Sequence, residues 1–279
     1  MFEIIFLSLL ALVWILFATI QDLKQREVAD WLNFSLIIFA LGFRFFYSFF
    51  AQNNFSFFYQ GLIGLGIFLI LGNLFYYAHM FAGGDAKLLI ALGAVLPFST
   101  IFTTNLKYFA TFLLFFFFIG SLYGIITSIF LATKYKKQFK KQFKKQFKSG
   151  KKLIYLGCFF AILIMLLGFI ETFVFYIGIL LFILPYFYIY AKSVDESCMI
   201  KLIPTKNLRE GDWLYKDLKI GKKTIKANWE GLSKKQISLI KRSHKKIQIR
   251  EGIPFVPVFL ISFIIYLIII KTNLWQSFW

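Results

Sequence analysis

The sequence predicts an all-α polytopic membrane protein of about eight transmembrane helices, with a small α+β cytoplasmic domain before the last helix. Hydrophobic residues make up 59% of the 279 residues, and 39 residues are Phe. The mean hydropathy is +0.72, which exceeds what a water-soluble core requires. Several apolar runs also reach the roughly 18–20 residues that span a bilayer core.

Eight apolar stretches are the candidate spans: residues 2–21, 31–50, 57–80, 87–104, 107–132, 153–170, 172–191 and 253–271. The first lacks the basic start and small-residue cleavage site of a signal peptide, so we expect it to be retained. Residues 153–191 are too long for one crossing. Glu171 lies at their centre, where a charge would be costly in lipid, so we expect two helices with Glu171 in an external turn.

Basic residues are concentrated in two loops. Residues 134–152 contain ten Lys and no acid, and residues 192–251 contain sixteen Lys and Arg. Loops rich in Lys and Arg stay in the cytoplasm, so we expect both loops to be cytoplasmic and both termini outside. The predicted domains are a transmembrane core at 1–191, a small cytoplasmic domain at 192–252, and a final transmembrane helix and tail at 253–279.

The net charge of +19 raises the question of a nucleic-acid partner. Residues 136–147 repeat Lys-Lys-Gln-Phe three times, which places Phe139, Phe143 and Phe147 on one helix face. We interpret this segment as an interfacial helix, with Phe in the headgroups and Lys on anionic lipid. A plain topology-fixing loop is the alternative, and no nucleic acid is predicted as a partner.

The small domain offers three local signals. Residues 200–203 alternate weakly and stop at Pro204, and residues 211–214 read as a turn entering a strand. Ser233 is a suitable N-cap for a helix through Lys246, with Ile237, Leu239 and Ile240 as its apolar positions.

Two short polar clusters interrupt the apolar chain, and each contains an aspartate. Asp22 follows the first span, and Asp85 precedes the fourth. The predicted topology puts both at the cytoplasmic membrane boundary. Ionisable groups there are costly unless they are used, and two carboxyl groups suffice for acid–base activation of water. The pair predicts a membrane-embedded aspartic protease. In the alternative, Asp22 merely closes a helix and pairs with Lys24 or Arg26.

Two glycines, Gly83 and Gly84, precede Asp85. Glycine is unfavourable unless the backbone turns sharply or approaches something closely, and an extended substrate is one such neighbour. Asp85 also begins a span, where a helix N-terminus favours the ionised carboxylate. From spacing alone, both a catalytic and a purely structural role stay open for Asp85.

Residues 83–87, Gly-Gly-Asp-Ala-Lys, with Asp22 upstream, resemble the GxGD class of membrane aspartic peptidases. More narrowly, they resemble the type IV prepilin peptidase family and its archaeal preflagellin-processing branch. Residues 22–31, 211–214 and 251–257 are similar to blocks of that branch. The first glycine of GxGD is Ala82 here, a change that we expect to be tolerated.

The resemblance implies that Asp22 and Asp85 form a catalytic dyad that shares one proton, with Gly83, Gly84 and Lys87 as support. The implied substrate is an archaellin- or pilin-like precursor with a short basic leader before a hydrophobic helix. Cleavage would occur at the cytoplasmic boundary of the cell membrane. The paired Cys-x-x-Cys motifs of methylating bacterial relatives are absent, so methylation is not predicted.

No cofactor or metal is predicted, because the sequence lacks a His-Glu-x-x-His motif and a cysteine ligand pattern. Since the implied leader and the cytoplasmic loops are both basic, local acids would have to recognise the leader. Glu27 and Asp30 are the nearest candidates for substrate binding; ordinary ion pairs with Lys24 and Arg26 are the alternative.

Two other functions fit a pair of membrane aspartates. A presenilin-type protease would cut inside the bilayer, but its Pro-Ala-Leu motif is missing. An ion-coupled transporter would use the aspartates to carry protons or cations. Transporters often have repeated halves, and the sequence shows no internal repeat.

Overall fold

The computed structural model describes residues 2–169, 171–221 and 223–272. The chain packs into two compact units: Met1–Gly124 with Pro254–Trp279, and Ile125–Ile253. The boundary between them falls inside one long helix. The predicted division at residues 191 and 252 stays a prediction.

Ten α-helices and five strands account for most of the described chain. The helices are α1 (Phe2–Gln25), α2 (Asp30–Tyr47), α3 (Ser56–Tyr77), α4 (Gly83–Gly93), α5 (Phe102–Lys134), α6 (Lys136–Ser149), α7 (Lys151–Leu167), α8 (Thr172–Cys198), α9 (Lys234–Ser243) and α10 (Val256–Lys271). The strands are β1 (Ile200–Pro204), β2 (Trp213–Leu214), β3 (Leu218–Ile220), β4 (Lys223–Ile225) and β5 (Lys246–Arg250). A π-helical turn, Ser48–Gln52, extends α2.

The helical, multi-pass class is confirmed. Within the described residues, five segments are long and apolar enough to cross a membrane: α1, α2 with its π-helical turn, α3, α5 and α8. The pair α6 and α7, bent by 65°, could make a sixth. The count of eight is not confirmed, because α4 has only 11 residues and α10 has 16. The predicted break at Glu171 is present, since α7 ends at Leu167 and α8 begins at Thr172.

The predicted span at 87–104 is wrong as a continuous helix. The α4 helix ends at Gly93, and the chain is not α-helical again until Phe102. Pro97 lies in this break, where it lacks a backbone N–H and disfavours helix at the residue before it. Helix α4 also approaches α3 closely, because a methyl group on Gly64 would clash with the carbonyl oxygen of Gly93.

Arg44 stabilises the non-helical segment between α4 and α5 by donating hydrogen bonds to its carbonyl groups. Its side chain is fully buried within the predicted span 31–50. The guanidinium donates to the carbonyl oxygens of Ala94 (2.9 Å), Val95 (3.0 Å), Phe57 (3.0 Å) and Pro97. A non-helical backbone inside a membrane protein needs such internal partners. Arg44 therefore replaces the hydrogen bonds that a continuous fourth helix would have made.

The sheet-containing part of the second unit has its own core. Strands β1, β5 and β2 form an antiparallel sheet in that order, and β3 pairs with β4. Ser233 caps α9 with a capping box through Gln236, as its sequence position predicts. The predicted end of α9 at Lys246 is wrong, because residues 246–250 form β5, in which Ile247 and Ile249 alternate into the core.

Phe139 is not free to enter the lipid headgroups as predicted. Its ring lies 5.6 Å from the ring of Tyr190 on α8, and it packs against a small cluster of Ala132, Val194 and Cys198. The apolar side of α6 therefore faces protein at this position.

Candidate active site

Asp22 lies in the last turn of α1 and is only 7% exposed. The helix ends three residues later, where Arg26 adopts the left-handed conformation (φ 59°). The Arg26 backbone N–H donates to the carbonyl oxygen of Asp22 at 2.8 Å, which closes the helix. The end of α1 therefore fixes the backbone that carries the Asp22 carboxyl group.

The start of α10 supplies a hydrogen bond to Asp22. The Val256 N–H donates to Oδ2 of Asp22 at 3.0 Å. The ring of Phe255 is held by Phe81 and Phe116, each with its ring centroid 5.8 Å away. This cluster of aromatic rings positions the first amide of α10 beside Asp22. The resemblance of residues 251–257 to the archaeal branch singled out this segment in the sequence. It did not indicate that the segment contacts Asp22.

Asp85 is the third residue of α4, a helix too short to span the membrane. Ala82 is the N-cap residue of this helix, and its backbone N–H lies near the Asp85 carboxyl group. Burial, and secondarily the charge on Asp22, raise the pKa of Asp85 to about 7, and the backbone of Ala82 opposes this rise. Burial therefore works against the ionised form that the helix N-terminus favours.

Gly83 and Gly84 do not make the sharp turn that the sequence suggested. They are the first two residues of α4, and neither has a positive φ. A methyl group on Gly84 would lie 3.6 Å from Cβ of Val28, and one on Gly83 would lie 3.8 Å from Tyr76, both ordinary contact distances. Internal packing thus does not demand glycine here.

The two candidate substrate-binding acids differ in their surroundings. Nζ of Lys87 lies 2.6 Å from Oδ1 of Asp30, so Lys87 ties α4 to the start of α2. Asp30 is thus paired with Lys87 rather than with Lys24 or Arg26. Glu27 is exposed and has no ion-pair partner among the residues that the structure describes.

The structure brings Asp22 and Asp85 within electrostatic range of each other, from positions 63 residues apart in sequence. Tyr123 of α5 also lies within range of Asp22, which the sequence did not indicate. In the described part of the chain, no group of three or more His, Cys, Asp or Glu side chains could hold a metal ion. The arrangement is a pair of carboxyl groups in which the charge of one raises the pKa of the other.

This geometry defines a membrane protein with a paired-carboxyl site, and sequence comparison relates part of the chain to a known family. Residues 9–129, which carry both aspartates, match the type IV leader peptidase family. The resemblance recognised from the motifs is therefore confirmed over this segment of the chain.

Two relatives are named preflagellin peptidases. That of Methanocaldococcus jannaschii is 34% identical over 85 residues, which cover 30% of this chain and 36% of the relative. That of Methanococcus maripaludis is 32% identical over 83 residues, covering 30% of this chain and 35% of the relative. The chain thus spans about a third of the length of the curated relatives it matches. No solved structure matches it significantly.

Proposed function

We propose that this protein is a membrane-embedded aspartic endopeptidase. It removes short basic leaders from archaellin- or pilin-like precursors at the cytoplasmic face of the cell membrane. The observation that carries the proposal is the coupling of Asp22 to Asp85, inside the segment that matches the leader peptidase family. The preflagellin peptidase relatives support the substrate class. The excess of Lys and Arg in loops 134–152 and 192–251 supports the cytoplasmic orientation.

The hydrogen bonds assign different roles to the two carboxyl groups. Asp22 accepts the backbone N–H of Val256, and an ionised carboxylate is an acceptor only. Asp22 therefore acts as the base, and Asp85 holds the shared proton. A buried pair of like groups shares a proton because two adjacent negative charges are costly.

The reaction returns both groups to their starting state. Asp22 takes a proton from water as the water oxygen attacks the scissile carbonyl carbon, and Asp85 gives its proton to the carbonyl oxygen. A neutral gem-diol results. Asp22 then passes its proton to the amide nitrogen, the C–N bond breaks, and one gem-diol hydroxyl returns a proton to Asp85. The products are a carboxylic acid and an amine.

The direct test is a processing assay. Membranes containing the full chain are incubated with a precursor that carries a basic leader and a hydrophobic helix, and the product is sequenced from its new N-terminus. Cleavage at the junction of leader and helix supports the proposal. Intact precursor under these conditions, or cleavage deep within the hydrophobic helix, contradicts it; the latter is the expected result for a presenilin-type enzyme.

Gly84→Ala tests whether substrate passes beside Asp85. The added methyl group makes only ordinary contacts within the protein, and alanine favours the helix, so thermal stability should be unchanged or slightly higher. We expect kcat/KM for precursor cleavage to fall by about 10- to 100-fold, because displaced reacting groups lose their alignment. Gly66→Ala, whose methyl group meets nothing within 4 Å, is the control and should retain activity. Full activity of Gly84→Ala would place the substrate elsewhere.

Glu27→Lys tests recognition of the leader. Glu27 is exposed and has no ion-pair partner in the part of the chain that the structure describes, so it can attract a basic leader, whereas Asp30 is paired with Lys87. We expect processing of a basic leader to fall by about fivefold, the upper range for an exposed ion pair, and processing of an uncharged leader to be spared. Asp30→Asn should affect both leaders equally. If Glu27→Lys cleaves the two leaders in the wild-type ratio, Glu27 does not recognise the leader.

A further inference from the structure

Helix α6 carries a dense, uncompensated positive charge. Seven of its fourteen residues are Lys, all of them exposed. None has an ion-pair partner within residues 2–169, 171–221 and 223–272. The two acids near the end of α8, Asp195 and Glu196, lie against Arg250 instead, at 3.3 Å and 3.7 Å.

The repeat makes this charge repel itself. Its four-residue period creates five i,i+4 Lys pairs: 136 with 140, 137 with 141, 140 with 144, 141 with 145, and 144 with 148. Like charges at this spacing destabilise a helix. With 100° per residue, the lysines cover about half of the circumference. An anionic surface along this half would relieve the repulsion.

The other side of α6 is occupied, which fixes the direction of the lysines. The ring of Phe139 meets the ring of Tyr190 of α8 edge-on, and the three repeat Phe rings follow one another at 5.7 Å and 6.2 Å. A methyl group on Gly150, which follows the last residue of α6, would lie 3.0 Å from Ile189 of α8. Helix α6 therefore packs on α8 near both of its ends, and its lysines remain exposed.

The position of α6 in the chain keeps it near the membrane. It begins two residues after α5, a helix long enough to span, and α7 follows after Gly150 alone. We propose that the Lys side of α6, residues 136–148, is a docking surface for the anionic headgroups of the surrounding membrane. Contact is made by the lysines alone, in contrast to an amphipathic helix that inserts its aromatic side chains.

Hydrogen exchange of the full chain tests the surface without reference to peptidase activity. The protein is placed in nanodiscs of phosphatidylcholine alone, or of phosphatidylcholine mixed with phosphatidylglycerol. We expect amide exchange in residues 136–149 to slow by about tenfold or more in the anionic discs. High salt should abolish the difference, because it screens charge. Exchange in α7 and α8 should be the same in both discs, which shows that the protein is equally folded.

Matched variants separate this surface from general charge. Changing Lys137, Lys141, Lys144 and Lys145 to Gln should remove the lipid effect. Changing four exposed lysines of the sheet-containing part to Gln should preserve it; these are Lys206, Lys219, Lys226 and Lys235. Equal exchange in the two wild-type discs overturns the proposal, as does an undiminished lipid effect in the α6 variant. Protection by an added oligonucleotide but not by anionic lipid also overturns it, in favour of a nucleic-acid surface.

Discussion

Asp22→Ala and Asp85→Ala should each lower precursor cleavage by about 10³-fold or more, and the double variant should be no worse than either. One carboxyl group cannot both accept the water proton and protonate the carbonyl oxygen, so the two losses overlap. The measurement is kcat/KM in the processing assay, at equal amounts of inserted protein. Glu230→Ala, which removes an exposed acid from the other unit, is the control and should be active. Near-normal cleavage by either aspartate variant would refute the dyad.

Asparagine variants should separate the two roles. Asn at position 85 can still donate an N–H to the carbonyl oxygen, whereas Asn at position 22 cannot accept a proton, so Asp85→Asn should retain more activity than Asp22→Asn. The protonated form of Asp85 is lost as pH rises through its pKa of about 7. Wild-type cleavage should therefore decline above that pH, and the residual activity of Asp85→Asn should lack this decline. The opposite order of activities would exchange the roles.

Arg44→Met should strongly destabilise the protein. The substitution keeps the length and apolar stem of the side chain but leaves the buried carbonyl oxygens of Ala94, Val95 and Pro97 without their donor. Each unpaired acceptor costs about 1–3 kcal/mol. We expect a total loss of at least about 3 kcal/mol, or about 6–12 °C in Tm, measured by thermal unfolding in detergent.

Two further variants on α2 serve as controls for the loss of stability expected of Arg44→Met. Ile38→Ala, at a side chain that is 68% exposed, should change Tm little. Arg44→Lys keeps the charge but has at most three donors and no planar fork, so its Tm should fall between those of the wild type and Arg44→Met. An Arg44→Met protein as stable as the wild type would mean that the break at residues 94–101 satisfies its own carbonyl groups.

Apolar run length was sufficient to predict most of the helices. It identified the helical class, the break at Glu171 and the stretches that became α1, α2, α3, α5 and α8. Ser233 and the 211–214 turn were readable because caps and tight turns depend on local residues. The two aspartates were readable because charge is rare in such a chain.

The remaining features depend on contacts between distant residues. The partners of Arg44 could not be predicted, because nothing near it in sequence reveals carbonyl groups 50 to 53 positions away. Without those partners in view, the apolar run at 87–104 has the pattern of an ordinary helix. The raised pKa of Asp85 could not be predicted either, since helix position alone favours ionisation while burial and Asp22 oppose it. Lys87 could not be assigned to Asp30 from spacing.

The hydrogen bond from Val256 to Asp22 joins residues 234 positions apart. A ribosome therefore makes both aspartates and the glycine pair long before it makes the amide that completes the site. Nascent chains that stop short of α10 would carry every recognisable motif and still lack the donor beside Asp22. Sequence comparison has the same limit: the family match ends at residue 129, so it includes both aspartates but not Val256. Genes that keep the two aspartates but have lost this last helix should encode proteins without peptidase activity.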